Sequence, residues 1–427
     1  MKKKHLLNFL TFIFIIFSVK PQLIDESVYL SSLNNYTNPL DKVRKEKVYK
    51  ALKSLPKREA IDELKMALTM KNAKQEYSLT EAESVYFIYK WITENIKFDL
   101  SFIKRDDETS AYNNGSGSYY GISHIFITMC KFLGLKAKYI EGYGLLRHYI
   151  NSEKILAKYD YGWNSVIIDN KYYLVDSMAK GINSPFGYYI EDLDIDIFFC
   201  IYPEFFVRTH FPLDNKWQLL RETIDLETFL SQVTLFYFFF KYGFKSIKPD
   251  KAFLNVTNTL KIVLINENPN NILHYLISFK NGLFLYSNIK EKTEIDFIFN
   301  EKRKYIFSLG TSFNEYGSYE IAEYVVNNEI EKNPPLYFPE QYNLINGIKL
   351  IEPLYSPLKR GETINFKILF EASDKLIIKD KIGNITLTKE GNIFTGKYFI
   401  HDIEGNYISI RYFKDGHTNS LFYYKTY

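Results

Sequence analysis

Apolar residues recur at helical spacing in the first part of the chain. The spacing predicts a helix that begins at Thr80, where Glu83 completes a capping box. A second, more apolar helix is predicted from Gly121 to Leu133, with Gly134 as a natural stop. Residues 40–75 are charged and also helical in pattern. The chain before residue 134 is therefore predicted to carry helices.

Beyond the second helix the hydrophobic period changes to two. This alternation predicts a strand over Lys136–Tyr143 and two further strands over Gly162–Ile168 and Lys171–Asp176. Asp169 and Asn170 separate the last two strands and suit a tight hairpin turn. Helices followed by an antiparallel sheet indicate an α+β fold.

From about residue 250 strand patterns dominate. The segment Asn327–Asn343 contains three Pro and is predicted to be a linker between two groups of strands. Short alternating strands at this spacing are typical of β-sandwiches, so we expect two of them. The predicted strands are Leu260–Ile265, Ile272–Phe279, Glu294–Phe299, Tyr305–Leu309, Tyr319–Val326, Thr363–Phe370, Leu376–Lys379, Ile385–Thr388, Phe394–Ile400, Tyr407–Lys414 and Leu421–Tyr427.

These patterns divide the chain into five predicted parts. They are a signal peptide or N-terminal anchor (1–22), a helical N-terminal segment (23–78), an α+β domain (79–235), a β-sandwich domain (236–332) and a C-terminal β-sandwich domain (333–427).

The N-terminus predicts export. Lys2, Lys3 and Lys4 precede the apolar run Leu6–Val19, whose length suits a signal peptide and is short for a membrane-spanning helix. No A-x-A cleavage pattern follows, so an uncleaved anchor stays open as an alternative. The expected location is secreted, periplasmic or at the cell surface, and no other spanning segment is predicted.

Composition limits the classes of partner. The formal charge is +4, and the four Lys within Met1–Lys20 account for all of it. A neutral remainder argues against nucleic acid as a partner. The chain has two Cys, Cys130 and Cys200, so the sequence holds no disulfide framework.

Five short stretches occur in an order that carries further information. They are Trp91–Asp99 (WITENIKFD), Gly117–Phe126 (GSYYGISHIF), Gly134–Tyr143 (GLKAKYIEGY), Tyr161–Asn164 (YGWN) with the following strand that ends in Asp176, and Pro203–Glu204 with Thr209–Pro212 and Lys216–Leu220. In this order and spacing they resemble the transglutaminase-like superfamily, and within it the kyphoscoliosis-peptidase type. The resemblance covers roughly residues 80 to 230. It implies a papain-like domain of helices and antiparallel sheet.

The resemblance also implies where a catalytic site would lie. Family enzymes use a Cys nucleophile, a His base and an Asp that orients the His. The matching positions here are Tyr119, Tyr161 and Asp176, so two of the three groups are replaced. A phenol with a pKa near ~10 is a poor nucleophile at neutral pH. We therefore expect a pseudoenzyme, with Tyr161 or Tyr119 hydrogen-bonded to Asp176 or, in its place, to a backbone carbonyl.

The same comparison implies four residues that would line the former cleft, namely Ser118, Gly121, Trp163 and Asn164. The segment Ser177–Gly181, where the family often has a Trp-containing stretch, departs from the family pattern.

Other residues offer weaker alternatives. Cys130 would lie ~16 Å along the helix from Tyr119, and Cys130 and Cys200 both suit a buried core. His124 is expected to pack or cap, and His148 is expected in a solvated loop that could reach the cleft.

No cofactor or metal site is predicted. The sequence has no P-loop, no dinucleotide-binding fingerprint and no Cys or His cluster at metal spacing. The acidic run Glu191–Asp196 lacks the pattern of an EF-hand and is expected to be a solvated loop.

Three functions stay open from the sequence. The first is an exported pseudoenzyme that binds a protein or peptide through the old cleft and the sandwiches. The second is an active amide-processing enzyme, of the transglutaminase or cysteine-peptidase kind, with a relocated catalytic set. The third is a structural scaffold. An open groove beside Tyr119 would favour binding, and a packed one would favour the scaffold.

Overall fold

The structure is a computed structural model. It describes residues 24–34, 36–99, 107–144, 158–178, 196, 198–266, 273–277, 282–289, 291–299, 301–312, 318–329, 338–342, 345, 347–414 and 417–427. Within these ranges the α-helices are α1 (Glu26–Ser32), α2 (Lys45–Lys53), α3 (Glu63–Glu76), α4 (Glu81–Asn95), α5 (Glu108–Asn114), α6 (Tyr119–Phe132), α7 (Pro203–Phe206), α8 (Leu226–Ser231) and α9 (Tyr237–Lys241).

The strands fall into three regions. The α+β domain holds β1 (Lys97–Phe98), β2 (Ser116–Gly117), β3 (Ala137–Gly144), β4 (Lys158–Ile168), β5 (Lys171–Val175) and β6 (His210–Pro212). The first sandwich holds β7 (Thr234–Leu235), β8 (Phe244–Lys248), β9 (Phe253–Thr257), β10 (Thr259–Asn266), β11 (Leu273–Ile277), β12 (Gly282–Ile289), β13 (Lys292–Phe299), β14 (Arg303–Ser312) and β15 (Ser318–Glu329).

The C-terminal sandwich holds β16 (Glu340–Gln341), β17 (Ile348–Glu352), β18 (Thr363–Phe370), β19 (Leu376–Lys379), β20 (Asn384–Thr386), β21 (Thr388–Glu390), β22 (Ile393–Phe399), β23 (Tyr407–Lys414) and β24 (His417–Lys425). The predicted α+β fold followed by two β-sandwiches is confirmed.

Local capping chemistry sets the starts of the two central helices. Thr80 and Glu83 form the predicted capping box at the start of α4. Ser118 caps α6, so this helix begins at Tyr119, two residues before the predicted start at Gly121. The prediction began too late because it followed the apolar pattern rather than the cap.

The α+β domain folds α6 against a four-stranded antiparallel sheet of order β5–β4–β3–β6. The predicted hairpin joins β4 to β5, and its turn residues Asp169 and Asn170 have φ values of 47° and 58°. This left-handed backbone suits the tight hairpin turn that joins two twisted strands. A side chain at Gly142 of β3 would come within 2.3 Å of the Phe211 carbonyl on β6, so close strand packing requires glycine there.

Two sheets form the first sandwich. Their orders are β12–β13–β10–β8 and β11–β14–β15–β7, and β9 pairs in parallel with β15. The buried residues of this sandwich join those of the α+β domain in one contiguous apolar cluster. An ion pair of 2.7 Å between Arg208 and Asp250 also bridges the two regions.

The C-terminal sandwich has its own apolar core between sheets ordered β16–β24–β23–β19–β20 and β17–β18–β22–β21. Leu285 of the first sandwich packs into that core. Lys349 forms an ion pair of 2.7 Å with Glu294 across the same junction. The two sandwiches therefore contact each other through apolar and charged side chains.

Several strand predictions need correction. The predicted linker Asn327–Asn343 begins inside β15 and contains β16, because both segments find partners far away in the sequence. Ile385–Thr388 is two short strands rather than one, and sequence patterns missed β8, β9, β12 and β17. Across the part of the chain that the structure describes, no helix is long and apolar enough to cross a bilayer.

Candidate functional site

The N-terminus of α6 places Tyr119 beside Tyr161 of the inner strand β4. Tyr119 is the first residue of the helix and is only 9% exposed. The Ser118 hydroxyl accepts hydrogen bonds from the amides of Tyr120 and Gly121, at 3.2 and 3.4 Å. These bonds satisfy two of the amides that a helix start leaves unpaired. The cap therefore fixes the direction in which Tyr119 leaves the backbone.

Asp176 is the centre of a buried hydrogen-bond network. It follows β5 directly and its side chain is fully buried. Its Oδ2 accepts from the Tyr161 hydroxyl at 2.7 Å and lies 3.1 Å from Nε2 of His210. Its Oδ1 accepts from the amide of Met178 at 2.8 Å. The carboxylate thus has partners on both oxygens, and the expected bond to Tyr161 is present.

His210 reaches Asp176 from a separate strand. It lies on the edge strand β6, which pairs with β3 on the side of β3 that faces away from β4. Because a carboxylate only accepts, Nε2 of His210 carries the proton that is donated to Asp176. Nδ1 then accepts from the Thr209 hydroxyl at 2.8 Å. Both ring nitrogens are occupied, so the imidazole presents no open nitrogen to a substrate.

Burial shifts the pKa values of Tyr161 and His210 away from the values that acid–base catalysis at neutral pH requires. Burial and the neighbouring Asp176 charge raise the pKa of Tyr161 well above its usual value. Burial lowers the pKa of His210, although the bond to Asp176 opposes the shift. At neutral pH the phenol and the imidazole are therefore both uncharged.

Aromatic rings fill the space around the network. The Tyr119 and Tyr161 ring centroids lie 6.0 Å apart, and the Phe98 ring lies 6.2 Å from that of Tyr161. Phe206 and Trp163 pack on His210 at 3.9 and 5.0 Å. This packing beside Tyr119 is the arrangement expected of a scaffold rather than an open groove.

The four residues expected to line the cleft are all buried. Trp163 is fully buried, and the Asn164 amide donates to the Ser123 carbonyl at 3.1 Å. Ser118 is used as a helix cap, and Gly121 lies inside the first turn of α6. In the described ranges these residues therefore hold the helix against the sheet instead of lining an open surface.

The alternative reactive residues lie elsewhere. Cys130 and Cys200 are free thiols and both are fully buried, which raises the pKa of each well above its usual value. His124 donates from Nδ1 to the Tyr120 carbonyl at 2.8 Å, as a local packing role would require. His148 lies outside the described residues.

The acidic run was wrongly expected to be solvated at its last position. Asp196 is buried and accepts from Lys45 and Tyr86, both at 2.8 Å, while the ammonium of the buried Lys90 lies 3.8 Å away. Charge pairing offsets the cost of burying this carboxylate. The rest of the run lies outside the described residues, and within those that are described no group of three or more His, Cys, Asp or Glu is placed to hold a metal.

The model of the transglutaminase-like superfamily matches residues 67–177. That range contains Tyr119, Tyr161 and Asp176. The chain contains a transglutaminase-like domain. The predicted family resemblance is therefore confirmed, and the matched range includes Tyr161 and Asp176 of the network, whereas His210 follows it in the chain.

Curated relatives match part of the chain at low identity. The kyphoscoliosis peptidase of Homo sapiens is 23% identical over 227 residues, or 51% of this chain and 34% of that protein. The peptidase of Mus musculus is 22% identical over 223 residues, with the same coverage. Hillarin of Drosophila melanogaster is 25% identical over 187 residues, or 38% of this chain and 22% of that protein. The chain spans about a third of the length of the two peptidases.

Solved structures align with low overall scores. A crystal structure described as that of a TGase covers 42% of this chain and 38% of its own, at 12% identity and a TM-score of 0.22. Fibronectin(III)-like modules of Clostridium thermocellum CbhA cover 42% of this chain and 94% of their own, at 12% identity and a TM-score of 0.14.

Proposed function

We propose that this protein is a catalytically inactive member of the transglutaminase-like superfamily. The observation that carries the proposal is the hydrogen bond from Tyr161 to Asp176 inside a closed aromatic site. The family carboxylate orients a His base, whereas Asp176 here holds a phenol and a second, fully bonded imidazole. The network stabilises the domain instead of activating a nucleophile.

The thiols support the same proposal. Acyl transfer by cysteine needs a thiolate within hydrogen-bond reach of a base. Cys130 and Cys200 are the two Cys of the chain, and burial holds both in the thiol form. A relocated catalytic set of the cysteine type would have to use one of them, so it is not favoured by this arrangement.

We further propose that the protein binds another protein through its C-terminal sandwich. The former cleft is packed, but an aromatic patch of Tyr342, Tyr407 and Tyr423 lies on one sandwich sheet. The Tyr423 ring lies 4.7 Å from Tyr407 and 6.0 Å from Tyr342, which is 58% exposed. Tyrosines are enriched at protein interfaces because they bury large area at low entropic cost.

Export is part of the proposal. Lys2–Lys4 and the apolar run Leu6–Val19 have the character of a signal peptide or anchor. Fractionation of the native source should recover the protein outside the cytoplasm. Recovery from cytosol alone, with Met1 intact, would contradict export.

Inactivity is tested by amine incorporation and peptide hydrolysis on the purified full chain. We expect no turnover above a no-protein control, with or without a thiol alkylator. The matched variant C130A/C200A should behave identically. Turnover that disappears in this variant would overturn the proposal and show a relocated thiol.

Binding is tested with a photo-crosslinking amino acid at position 342, added to the native extracellular fraction. We expect one discrete adduct whose partner also binds the purified wild-type chain and binds Y342A weakly. The matched control carries the crosslinker at position 202, because Tyr202 is an exposed tyrosine of the transglutaminase-like domain. Equal adducts at both positions would contradict a binding role for the aromatic patch.

A further inference from the structure

A cavity of about 440 Å³ lies at the opposite end of α6 from Tyr119. Its walls come from the end of this helix, the start of β3 and the neighbouring strands, and include Lys131, Leu135 and Tyr172. Lys131 lies twelve positions after Tyr119 on the helix, which corresponds to about 18 Å along its axis. The cavity is therefore separate from the Asp176 network.

The wall of this cavity carries an excess of positive charge. Lys131, Lys136 and Lys138 face it, and among the described residues Asp25 is the one acidic residue that lines it. Asp25 caps α1, where its Oδ1 accepts from the Ser27 amide and hydroxyl at 3.1 and 2.8 Å. One carboxylate carries a single negative charge, so it balances only part of the charge of the three ammonium groups.

The lysines of the wall differ in how they are held. Lys131 and Lys136 are exposed and form no ion pair with a described residue. The Lys138 ammonium is half-buried and lies 5.7 Å from the centroid of the Trp217 ring. A cation over an indole face keeps its charge while its stem is ordered. Lys138 is thus a positioned cation beside two exposed ones.

The rest of the lining is apolar. Leu135 and Tyr172 are buried in the wall, and the Tyr172 hydroxyl accepts from the Asp25 amide at 3.2 Å. That bond leaves mainly the ring of Tyr172 to face a ligand. A small-molecule site commonly combines an apolar lining with a few convergent polar groups, in a volume of about 300–1000 Å³. The cavity has this composition and size.

The helix dipole accounts for only one of the three cations. Lys131 lies in the last turn of α6, where a positive charge complements the helix dipole. Lys136 and Lys138 lie beyond the helix end, at the start of β3. Their convergence on the same cavity has no such explanation.

We infer that this cavity binds a small organic anion with an apolar body, its carboxylate or phosphate head against the lysines and its hydrocarbon part against Leu135 and Tyr172. The lysines provide charge-assisted hydrogen bonds to the head group, and burial of the apolar body supplies the remaining affinity.

The test uses calorimetric titration of the purified full chain with octanoate and, separately, octyl phosphate. Octanol and octylammonium are the neutral and cationic probes of the same chain length. We expect saturable one-to-one binding of at least one anion and no binding of octylammonium. The stronger of the two anions identifies the head group.

The variant K131E/K136E reverses two exposed charges of the wall. We expect its dissociation constant for the preferred anion to be higher by about tenfold or more. A tenfold change corresponds to about 1.4 kcal/mol of binding free energy. The matched control is K50E/K53E, because Lys50 and Lys53 are exposed lysines in the last turn of α2. It has the same net charge and should bind like the wild type.

Three results would overturn the inference. They are no saturable binding of either anion at millimolar concentration, equal binding of octanol, and an equal loss of binding in K50E/K53E. Circular dichroism and the thermal midpoint of each variant establish that a loss of binding is not a loss of fold. If K131E/K136E does not fold, the milder K136Q variant should still weaken anion binding and leave octanol unaffected.

Discussion

Two buried aspartates of this protein each contact a histidine, but they do so in different surroundings. Asp176 in the transglutaminase-like domain lies 3.1 Å from His210, whose side chain is fully buried. Asp380 in the C-terminal sandwich lies 2.8 Å from His401, whose side chain is 32% exposed. The same pair of residue types is enclosed in one region and open to water in the other.

Their remaining partners differ as well. Asp176 takes one backbone amide, from Met178, and two side chains. Asp380 takes the amides of Ile382 and Gly383, at 2.8 and 2.9 Å, and also the Asn406 side chain. These bonds hold the pKa of Asp380 well below its usual value, although burial opposes them.

The comparison teaches that an Asp–His contact does not by itself indicate catalysis. At Asp380 the carboxylate accepts hydrogen bonds from two amides of its own turn and so stabilises the turn, as loop aspartates commonly do. At Asp176 the family positions converge, yet the partners are a phenol and a histidine with both nitrogens bonded. What distinguishes the two sites physically is access to water, and each prediction below tests that difference.

The largest effect is expected from D176A. Removing the carboxylate leaves the donors of Tyr161, His210 and Met178 unpaired in a dry site, so the transglutaminase-like domain should lose about 4 kcal/mol. Guanidinium unfolding followed by tryptophan fluorescence reports on this region, because all three Trp of the chain, Trp91, Trp163 and Trp217, precede the first sandwich. A loss under 1 kcal/mol would mean that water enters the site.

The matched variant D380A should cost less, about 2 kcal/mol, because water can reach the donors that it leaves unpaired. Hydrogen exchange of the Ile382 and Gly383 amides reports this turn directly, and both amides should exchange faster. An equal loss in D176A and D380A would remove the distinction between the two sites.

Y161F should cost about 2 kcal/mol, because it deletes a buried hydrogen bond to a charged acceptor. The matched control is Y324F, since the Tyr324 hydroxyl donates to the neutral Pro249 carbonyl at 2.8 Å. That variant should cost about 1 kcal/mol. Equal costs would indicate that Asp176 carries no charge in the folded protein.

The two sites should also respond to different pH ranges. The pKa of His210 is lowered in the folded protein. Its contribution to the free energy of unfolding is therefore lost as the pH falls below about 6.5, the usual pKa of histidine. The folded pKa of Asp380 is lowered too, and its contribution is lost as the pH falls below about 4. H210Q should flatten the first dependence and D380N the second.

The quantity to measure is the stability of each variant minus that of the wild type, at each pH. This subtraction is needed because Glu63, in α3, titrates in the opposite sense. Burial raises the pKa of Glu63 to about 7, so its contribution is lost as the pH rises from about 4.5 to 7. A wild-type profile that H210Q leaves unchanged would show that His210 is accessible to protons in the fold.

The smallest effect is expected from H401A. A partly exposed contact between a histidine and a carboxylate contributes about 0.5 kcal/mol, and the two backbone amides still hold Asp380 in place. H401A and H210A are compared by thermal unfolding under the same conditions. H210A should show a several-fold larger loss of stability. If H401A proves as destabilising as H210A, the exposure of the histidine does not govern the strength of the contact.

The sequence by itself determined the local elements and the positions that meet at Asp176. Asp169 and Asn170 adopt the left-handed backbone that their residue types favour, which forms the hairpin and aligns β4 with β5. The hairpin places Tyr161 and Asp176 at the same end of the sheet. Family motifs added Tyr119, which the Ser118 cap holds at the helix start. These features depend on neighbours close in sequence or on a recognised pattern.

Only the tertiary structure decided that His210 is a further partner of Asp176. It also decided that Asp196, the last residue of the acidic run, is buried. His210 reaches Asp176 because β6 pairs with β3, a contact between residues far apart in the chain. Asp196 is buried because Lys45 and Lys90 from two helices surround it. Alternation and capping report only on near neighbours, whereas a buried charge is stabilised by whatever the rest of the fold brings to it.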